Sequence, residues 1–457
     1  MGQGLIELAG QNVLVLGLGL SGRSAARFCA DRGARVVAAD ERTIESIDIE
    51  GELDAGIEVR TGAPFPDLSA YDLVIPSPGI PAARWKDSAR RAWGDIELCY
   101  RALSVPIIAV TGTNGKSTVV RLLEAMARAA GLRARAAGNL GVPALDLVGA
   151  PLDLAILEIS SFQLESVEEF RPRVSVLLNV SPDHFDRHGD LDGYLAAKTR
   201  IFARQGVGDC AVLNGEDPRV RDLPLPVGVE RLTFHRRPLA IEADAERLGD
   251  GAWLDGQNAI VRRHGRQQVA HLSDGHLSFA DQSENLLASL LALAALEIDL
   301  QSASQALIDF EGLPHRREEI AVIRGVRYVD DSKATNVGAA MHALDTTSEP
   351  IIWIVGGRHK GGDLSRLAAC AAKRVRHALL IGEAAGQFET ALDGLVSLEH
   401  AGDLSKAVER AAAIAEKGDV VLLAPACSSF DQFESFEARG RHFQKVVRGL
   451  ESCKGTR

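Results

Sequence analysis

The chain contains 457 residues, of which 46% are hydrophobic and 25% are charged, and its formal net charge is −11. This is the composition of a globular protein, and it excludes a disordered or fibrous chain. Because single hydrophobic cores stop growing well below this length, we expect about three domains. The acidic balance argues against nucleic acid or an anionic membrane as the main partner.

The cysteines and the apolar segments favour a cytoplasmic protein. The six cysteines lie far apart, without the spacing of a zinc site or a C-x-x-C motif, and we expect reduced thiols. The N-terminus lacks the basic and apolar regions of a signal peptide. The longest apolar run, 286–296, is about half of the roughly 20 residues that a membrane span needs, so none is expected.

A strand, a glycine turn and a helix open the chain and predict a first α/β domain over 1–104. Apolar residues at 13–16 form the strand, and the helical pattern covers 23–32. Further strands are expected at 35–39 and 71–75.

The glycine turn at 17–22 has the spacing G-x-G-x-x-G, with Asp40 at the end of the next strand. Glycines let the backbone approach a diphosphate at the N-terminus of a helix. The pattern is typical of NAD binding, but another nucleotide diphosphate could use the same geometry, and the turn could be purely structural. The residues alone leave these three alternatives open.

A second glycine loop, T-G-T-N-G-K-S-T at 111–118, predicts nucleotide binding in a central domain over 105–313. It lies between an apolar strand and a helix, and it is two residues shorter than the usual G-x-x-x-x-G-K-S loop. Its glycines free backbone amides for phosphate oxygens, Lys116 places a cation on the outer phosphates, and the Ser117 hydroxyl can bind magnesium.

Two further strands, at 154–157 and 174–178, end in polar residues. Glu158 follows the first directly, and His184 follows the second with Asp183 beside it. Ligands bind at the carboxyl edge of open α/β sheets, so Glu158 is a candidate magnesium ligand, and His184 or Asp183 could reach a second cation. A helix-capping role for Glu158 and a hydrogen-bonding role for His184 are the alternatives.

The rest of the chain predicts a third α/β domain over 314–457. The stretch 227–279 is irregular with short β-like pieces, and a helix at 284–297 closes the central domain. Strands that alternate with helices then predict a mostly parallel sheet. These strands are expected at 327–329, 351–355, 378–381 and 420–423.

Six motifs, in order along the chain, resemble the Mur ligases of peptidoglycan synthesis. They are T-G-T-N-G-K-S-T, E-I-S-S-F-Q-L-E, N-V-S-P-D-H-F-D-R-H, A-A-K, G-L-P-H-R and D-D-S-K-A-T-N. The resemblance covers the full chain and implies an α/β fold with three domains. These are an N-terminal Rossmann-like domain for the UDP-substrate (1–104), a central P-loop-type mononucleotide-binding domain for ATP (105–313) and a C-terminal Rossmann-like domain for the amino acid (314–457).

The resemblance implies ATP and two magnesium ions as cofactors. Lys198, whose local sequence predicts an ordinary exposed helix lysine, matches the lysine that the family carbamylates with CO2 so that it can help to hold magnesium. The expected catalytic residues are Lys116, Lys198, His184 and Arg316. The expected ATP contacts are Gly112, Thr113, Asn114, Gly115, Lys116, Ser117, Thr118, Asn285, Arg316 and Asp331, and the expected metal ligands are Ser117, Glu158, His184 and Lys198.

The stretches S-S-F-Q-L-E, D-S-K-A-T-N and A-C-S-S-F-D-Q-F resemble the family member that adds D-glutamate to UDP-N-acetylmuramoyl-L-alanine. The resemblance implies these two small-molecule substrates and amide ligation through an acyl phosphate, with a uridine diphosphate rather than NAD on the first glycine turn. The expected contacts are Leu20, Ser21, Asp40, Arg42 and Gly79 for the uridine diphosphate, Asn139 and Gln163 for the muramoyl part, and Lys333, Thr335, Lys360, Ser429, Phe430 and Phe436 for the amino acid.

Three alternatives to this activity are a sibling or folylpolyglutamate-type ligase with another acceptor, an NAD-dependent oxidoreductase, and a nucleotide-binding switch without catalysis. We expect a cytoplasmic monomer with no nucleic-acid or membrane partner. Because the implied ATP contacts come from the second and third domains, we expect the third domain to close on binding and to exclude water.

Two positions depart from the family's pattern. Where the family has H-N-x-x-N, this chain has D-Q-S-E-N from Asp281 and Gln282 to Asn285, so only Asn285 carries over. His359 stands where an aspartate is common just before Lys360. These departures leave the adenine contacts and the fine geometry of the amino-acid site open.

Overall fold

The computed structural model describes residues 6–47, 53, 56–236, 250–272, 279–310 and 312–452. The chain divides into two compact units. The first contains Met1–Val180 and Asp192–Phe310, and the second contains Ser181–Leu191 and Glu311–Arg457. The described strands form three sheets, which confirms the α/β class. This division does not test the bounds of the three predicted domains, which stay predictions.

The N-terminal sheet has four described strands, all parallel, in a Rossmann-like order. The elements are β1 (Asn12–Leu16), β2 (Arg35–Asp40), β3 (Glu58–Thr61) and β4 (Leu73–Pro76), with helices α1 (Leu20–Ala30) and α2 (Asp95–Ala102). The strand order is β3-β2-β1-β4. Leu14 and Leu16 of β1 and Val74 of β4 are fully buried and pack in one core cluster with the buried Trp85. Burial on both faces is typical of parallel sheets and explains the continuous apolar run of β1.

The central sheet has nine described strands and carries the second glycine loop. Counted from the edge formed by the hairpin strands, the strand before the loop is the seventh of the nine described strands, and the two strands that follow it in sequence complete the opposite edge. The strands are β5 (Ile107–Thr111), β6 (Ala134–Gly138), β7 (Leu154–Glu158), β8 (Val174–Leu177), β9 (Cys210–Asn214), β10 (Glu230–His235), β11 (Gly251–Asp255), β12 (Asn258–Arg263) and β13 (Arg266–His271), in the order β13-β12-β11-β10-β9-β8-β5-β7-β6.

Helices cover this sheet, and one of them is buried almost all round. The helices of the first unit that follow β5 are α3 (Lys116–Ala129), α4 (Ser161–Leu164), α6 (Leu191–Thr199), α7 (Pro218–Arg221), α8 (Phe279–Ala294) and α9 (Leu300–Ser304), and the short helix α5 (Phe185–His188) belongs to the second unit. Helix α8 corresponds to the helix predicted at 284–297, and Leu287, Leu290 and Leu291 are fully buried in the core. The helix ends at Ala294, before the predicted end at 297, and Glu297 itself has a left-handed φ of 59°, which a helix does not allow.

The stretch predicted to be irregular at 227–279 contains four regular strands, β10 to β13. Strands β11, β12 and β13 are antiparallel, and two-residue turns join them. In the turn between β12 and β13, His264 and Gly265 both have positive φ, at 50° and 73°. Two-residue turns with positive φ at both positions match the twist of a β-hairpin. The His264-Gly265 pair therefore indicated a hairpin that the sequence interpretation overlooked. Residues 237–249 and 273–278 lie outside the described part of the chain.

The C-terminal sheet is mostly parallel, as predicted. Its elements are β14 (Glu318–Ile323), β15 (Val326–Asp330), β16 (Ile351–Gly356), β17 (Val375–Ile381), β18 (Ser397–Gly402) and β19 (Val420–Leu423), with α10 (Val337–Thr346), α11 (Leu364–Ala371), α12 (Ala385–Leu392), α13 (Leu404–Ile414) and α14 (Phe436–Ser452). The order is β14-β15-β19-β16-β17-β18, and only the pairing of β14 with β15 is antiparallel among the described strands. Successive residues of β16 alternate between two cores: Trp353 lies in one, and Ile352 and Ile354 lie in the other.

Helix α2 ties the N-terminal sheet to the central sheet through a buried carboxylate. The Glu97 side chain is fully buried and accepts hydrogen bonds from the backbone N–H groups of Glu168 (2.8 Å) and Phe170 (3.0 Å). It also accepts one from Nε of Arg101 at 2.6 Å. A buried carboxylate with this many donors fixes the loop against the helix, because breaking the set would leave the charge without compensation.

No helix in the described part of the chain is both long enough and apolar enough to cross a lipid bilayer.

Gly22→Ala is expected to destabilise the N-terminal sheet. A Cβ at Gly22 would lie 1.9 Å from the carbonyl oxygen of Gly17 and 2.6 Å from Oγ of Ser77, so α1 would have to move away from the strand. We expect a loss of about 1–3 kcal/mol in the free energy of unfolding, measured with urea. Gly19→Ala is the matched control, since a Cβ at Gly19 meets nothing within 4 Å. Equal losses for the two variants would contradict this packing argument.

Candidate active site

The loop between β5 and α3 has the backbone geometry of a phosphate-binding loop. Gly112 and Gly115 have φ values of 152° and 87°, which other residues rarely adopt. Helix α3 starts at Lys116, so the positive end of its dipole lies at the loop, and Ser117 and Thr118 lie in its first turn. The loop and the helix N-terminus together offer a site for an anion.

Two neighbouring elements hold the loop in shape. The side-chain oxygen of Asn179 accepts from the backbone N–H of Asn114 at 2.9 Å, and its amide donates to the Asn114 carbonyl at 3.2 Å. Asn285 of α8 packs against Gly115, where an added Cβ would lie 2.4 Å from Oδ1 of Asn285. Asn179 was missed in the sequence, although it follows the strand that pairs with β5.

Two lysines converge on one carbonyl oxygen of the loop. Lys116 donates from Nζ to the Gly112 oxygen at 2.8 Å and to the Thr113 oxygen at 2.9 Å. Lys198 of α6 donates from Nζ to the same Gly112 oxygen at 2.8 Å. Two ammonium groups at the N-terminal end of a helix concentrate positive charge at the loop, which favours a polyanionic ligand such as a triphosphate.

Lys198 is buried, which contradicts the exposed helix lysine that its local sequence predicts. Its residue is 1% exposed, and Nζ lies 4.4 Å from the centre of the Tyr194 ring. The physical reason is that α6 turns this face toward the loop, where the Gly112 carbonyl and an aromatic face solvate the ammonium group. A lysine in such surroundings belongs to the site rather than to the surface.

Glu158 lies at the carboxyl end of β7, directly across from Val110 at the end of β5. It is 2% exposed, and Oε1 accepts from Nδ2 of Asn139 at 2.8 Å. Its other oxygen, Oε2, is buried and has no hydrogen-bond partner among the described residues. A buried carboxylate oxygen with unused lone pairs fits a hard cation such as magnesium, so the residues present suit the metal.

His184 belongs to the second unit, where it precedes α5 with a left-handed φ of 54°. Its Nε2 lies 3.8 Å from Oδ2 of Asp183, and about a third of the side chain is exposed. The same Asp183 oxygen accepts from Nδ2 of Asn336 at 3.2 Å. The imidazole is therefore held beside a carboxylate and is accessible, which suits either a metal ligand or a hydrogen-bonding role.

In the N-terminal sheet, Asp40 organises the first glycine turn. Its carboxylate accepts from the backbone N–H of Leu18 at 2.8 Å and from the side chain of Arg42 at 2.7 Å. Burial alone would raise the pKa of Asp40, but Arg42 and the backbone donors hold that pKa at about 2. Ser77 donates to the Gly17 oxygen at 2.8 Å, which joins the turn to the segment after β4.

Leu20 and Ser21 begin α1 beside this turn, and Leu20 is 54% exposed. Asp40 and Arg42 thus lie at the carboxyl end of β2, Leu20 and Ser21 at the start of α1, and Gly79 in the turn that follows β4. Contact of these residues with a nucleotide stays a prediction.

The two residues predicted to contact the muramoyl part are both engaged within the chain. Asn139 donates to Glu158, as described above. Gln163 is 1% exposed, accepts from the backbone N–H of Ser160 at 3.0 Å and donates to Oδ2 of Asp95 at 2.9 Å. These contacts give both side chains a fixed position; contact with a substrate stays a prediction.

In the second unit, Asp331 lies just after β15, in a buried position near two arginines. Burial raises the pKa of Asp331 to about 6, against the opposing charges of Arg317 and Arg316. His315 and Arg317, on either side of Arg316, both have left-handed φ values, at 60° and 55°. Each such residue costs about 1–3 kcal/mol, and strain of this kind often marks a functional turn.

The predicted amino-acid contacts lie on three loops of the C-terminal sheet and at the start of α14, which begins at Phe436. Lys333 places Nζ 3.9 Å from the centre of the Phe436 ring, and the backbone N–H of Thr335 donates to the Lys333 carbonyl at 2.7 Å. Ser429 is buried, whereas the neighbouring Phe430 is 61% exposed. Lys360 lies on the glycine-rich loop after β16.

His359, which stands where the family commonly has an aspartate beside Lys360, packs against Phe388. The two rings lie edge to face, and their centres are 6.2 Å apart. Burial lowers the pKa of His359, so the residue packs as a neutral ring and does not replace the charge of an aspartate. In the other departure, Gln282 and Asn285 lie in α8, and the side chain of Asp281 lies outside the described part.

Arg439 of α14 is a residue that the sequence interpretation missed. It is 1% exposed and donates to Oγ of Ser332 at 3.0 Å and to the carbonyl oxygens of Ser332 (2.9 Å) and Cys427 (3.0 Å). It therefore ties the loop of Lys333 to the loop of Ser429. The sequence feature that could have revealed it is the spacing of Arg439 four residues before Phe443, which places both residues on the buried face of the helix.

Three family models match consecutive parts of the chain. Residues 11–91 match the model described as Mur ligase MurD-like, N-terminal domain. Residues 110–289 match the Mur ligase middle domain, and residues 315–427 match the Mur ligase, glutamate ligase domain. Together they cover most of the chain.

Curated relatives are similar over nearly their whole length. The UDP-N-acetylmuramoylalanine--D-glutamate ligase of Pelotomaculum thermopropionicum is 38% identical over 98% of this chain and 99% of the relative. The protein of the same name from Geobacter metallireducens is 39% identical over 97% of this chain and 99% of the relative.

Solved structures share the fold at lower identity. A pseudomurein peptide ligase type C from Methanothermus fervidus has a TM-score of 0.62 and 18% identity, covering 96% of this chain and 100% of that chain. The MurF ligase from Thermotoga maritima, solved in complex with ADP, has a TM-score of 0.58 and 17% identity, with 97% and 96% covered. At these identities the likeness shows the fold alone.

Asp331→Asn is expected to stabilise the protein at neutral pH and to lose that effect in acid. Because the pKa of Asp331 is raised to about 6 in the folded state, the folded protein binds the proton more tightly than the unfolded chain does. The contribution of Asp331 to stability is therefore greatest below about pH 4, and about 3 kcal/mol of it is lost as pH rises from there through 6. The variant should be more stable at pH 7.5 and equal at pH 4, by urea unfolding. The exposed Asp393→Asn is the control, and a gain that is the same at both pH values would contradict the burial argument.

Proposed function

The chain belongs to the Mur ligase family, and we propose that it joins D-glutamate to UDP-N-acetylmuramoyl-L-alanine at the expense of ATP, as a step of peptidoglycan precursor synthesis. Relatives with this name are 36–39% identical over nearly the full length. The observation that carries the proposal is the convergence of Lys116 and Lys198 on the phosphate loop, next to a buried Glu158 with one uncommitted oxygen. Such a site suits ATP together with magnesium.

In the first step, the carboxylate of the alanyl group attacks the γ-phosphorus of ATP. A new bond forms between carboxylate oxygen and phosphorus, the bond to the β-γ bridging oxygen breaks, and ADP leaves with that electron pair. Loop amides between Gly112 and Thr118 and the Lys116 ammonium offset the negative charge that builds up on the phosphoryl oxygens. The product of this step is an acyl phosphate.

Magnesium, when bound, would neutralise the phosphates of ATP and hold their oxygens in line for transfer. The residues that would hold it are Ser117, Glu158 and His184. Carbamylation of Lys198 would exchange a buried cation for an anion and add a further ligand. The uncommitted oxygen of Glu158 supports the first of these assignments.

In the second step, the amine of D-glutamate attacks the carbonyl carbon of the acyl phosphate. A tetrahedral intermediate forms, inorganic phosphate leaves with its bonding electrons, and the nitrogen loses a proton to give the amide. Arg316 would offset the charge on the phosphate, while Lys333 and Lys360 would bind the two carboxylates of the amino acid. Ser429, Phe430 and Phe436 would complete the amino-acid site.

The geometry disfavours the NAD-dependent alternative. In a dinucleotide site, the acid at the end of the second strand accepts hydrogen bonds from the ribose hydroxyls. Here, both oxygens of Asp40 already accept hydrogen bonds from Leu18 and Arg42. The N-terminal glycine turn is therefore better suited to hold a uridine diphosphate on its amides and helix N-terminus.

We also propose a cytoplasmic location. The acidic composition and the five described cysteines, all free and buried, support it. The expected monomeric state stays a prediction, which sedimentation equilibrium would test.

Incubation of the protein with UDP-N-acetylmuramoyl-L-alanine, ATP, magnesium and D-glutamate is expected to give a product heavier by one glutamyl residue, together with ADP and phosphate. Mass spectrometry identifies the product. Parallel reactions with L-glutamate and with other amino acids test the acceptor. A product with another amino acid but not with D-glutamate would keep the ligase chemistry and overturn the acceptor, and no product with any of them would sink the proposal.

The modification of Lys198 has its own test. We expect the protein, incubated with carbon-13 bicarbonate, to show a carbamate carbonyl resonance near that of model carbamates, and Lys198→Arg to lack it. Turnover of this variant should fall by roughly a hundredfold or more, because an arginine cannot supply the anionic ligand. A resonance that persists in the variant would assign the modification to another lysine.

A further inference from the structure

The turn that carries Arg316 is strained on both sides. His315 and Arg317 have φ values of 60° and 55°, in the left-handed region that non-glycine residues avoid. Backbone strain of this kind persists only where the surroundings impose it. The contacts of the two flanking residues therefore decide where Arg316 lies.

On the first side, three contacts hold His315. Its ring nitrogen Nδ1 lies 2.7 Å from Oδ2 of the fully buried Asp330. Its backbone N–H donates to Oε2 of Glu318 at 2.9 Å, and its carbonyl accepts from the backbone N–H of Lys333 at 3.1 Å. The residue itself is 6% exposed. Both the ring and the backbone of His315 are thus fixed.

Helix α14 completes this arrangement from the opposite side. The amide of Gln444 donates to Oε2 of Glu318 and to Oδ2 of Asp330, each at 3.0 Å. One turn earlier, Gly440 leaves the space that the His315 ring fills, since a Cβ there would lie 2.1 Å from Nδ1 of His315. A glycine inside a helix normally weakens the helix, and here its presence is explained by the space that the His315 ring needs.

On the second side, Arg317 is anchored to α10. Its Nη1 donates to the Ala343 carbonyl at 2.7 Å and to Oγ1 of Thr347 at 2.9 Å. The Arg316 side chain is thus presented from a backbone that is pinned immediately before and immediately after it.

We propose that His315, held by Asp330 and Gln444, is a positioning residue that fixes the strained turn and thereby aims Arg316. The inference rests on the proposed role of Arg316 at the phosphates. His315 touches neither substrate nor the reacting atoms in this role, and it acts through its neighbour. Asp330 has the same relation to Asp331, since β15 ends between them.

A metal ion is the alternative occupant of this cluster, because His315, Glu318 and Asp330 offer ligand atoms within 4.8 Å of one another. The Gln444 amide argues against it. Its hydrogens point at the two carboxylates, where they satisfy the same oxygens that a cation would need. Hydrogen bonding between the cluster members explains every contact without a metal.

The test is a double-mutant cycle on the full chain, with ADP formation measured at varied ATP. His315→Gln and Arg316→Ala are each expected to lower kcat/KM for ATP by roughly tenfold or more. If His315 acts through Arg316, adding His315→Gln to Arg316→Ala should change kcat/KM by less than about twofold. Effects that multiply in the double variant would overturn the inference while leaving the role of Arg316 intact. Wild-type turnover in Arg316→Ala would overturn both the proposed role of Arg316 and the inference.

A second pair of variants separates positioning from folding. Gly440→Ala pushes on the His315 ring, whereas Gly449→Ala lies in the same helix at a position where a Cβ meets nothing within 4 Å. We expect Gly440→Ala to lower kcat/KM for ATP as His315→Gln does, at a temperature where thermal melting shows it folded, and Gly449→Ala to match the wild type. Wild-type kinetics in a folded Gly440→Ala would contradict the proposal.

Discussion

The carbonyl oxygen of Gly112 accepts hydrogen bonds from both Lys116 and Lys198, and the chemistry of the central sheet depends on this convergence. The loop that carries this carbonyl takes its shape from Gly112 and Gly115, whose positive φ values other residues rarely adopt. The two cations favour a polyanion. Glu158, one strand away, then supplies the negative charge that a divalent metal requires.

The N-terminal sheet is attached to this centre by polar contacts rather than by apolar packing alone. Glu97 accepts several backbone N–H groups of the loop that precedes β8, and Asp95 accepts from Gln163. Burial raises the pKa of Asp95, so a shift in this contact would alter its proton affinity. Buried hydrogen bonds are directional, and they therefore fix helix α2 against the loop before β8 more sharply than hydrophobic contacts would.

In the second unit, two arginines differ in what their side chains do. Arg439 is buried and donates hydrogen bonds to the loops that carry Lys333 and Ser429. Arg316 is presented from a turn whose flanking residues carry the strain. Arg439 thus joins two loops of the C-terminal sheet, whereas the position of Arg316 depends on the contacts of its two neighbours.

The sequence by itself determined the α/β class, most strands and helices, and the glycine loops, because apolar periodicity and glycine spacing are local properties of the chain. It also predicted Glu158 and His184 as candidate metal ligands from their positions after strands, and these roles stay predictions. Only the tertiary structure decided that Lys198 is buried, that Asn179 holds the loop and that Arg439 joins two loops. These roles arise from contacts between residues far apart in the chain, for which short-range pattern carries no information. Hairpins β11 to β13 were missed for a related reason: their strands are short, and pairing between neighbours stabilises them more than propensity does.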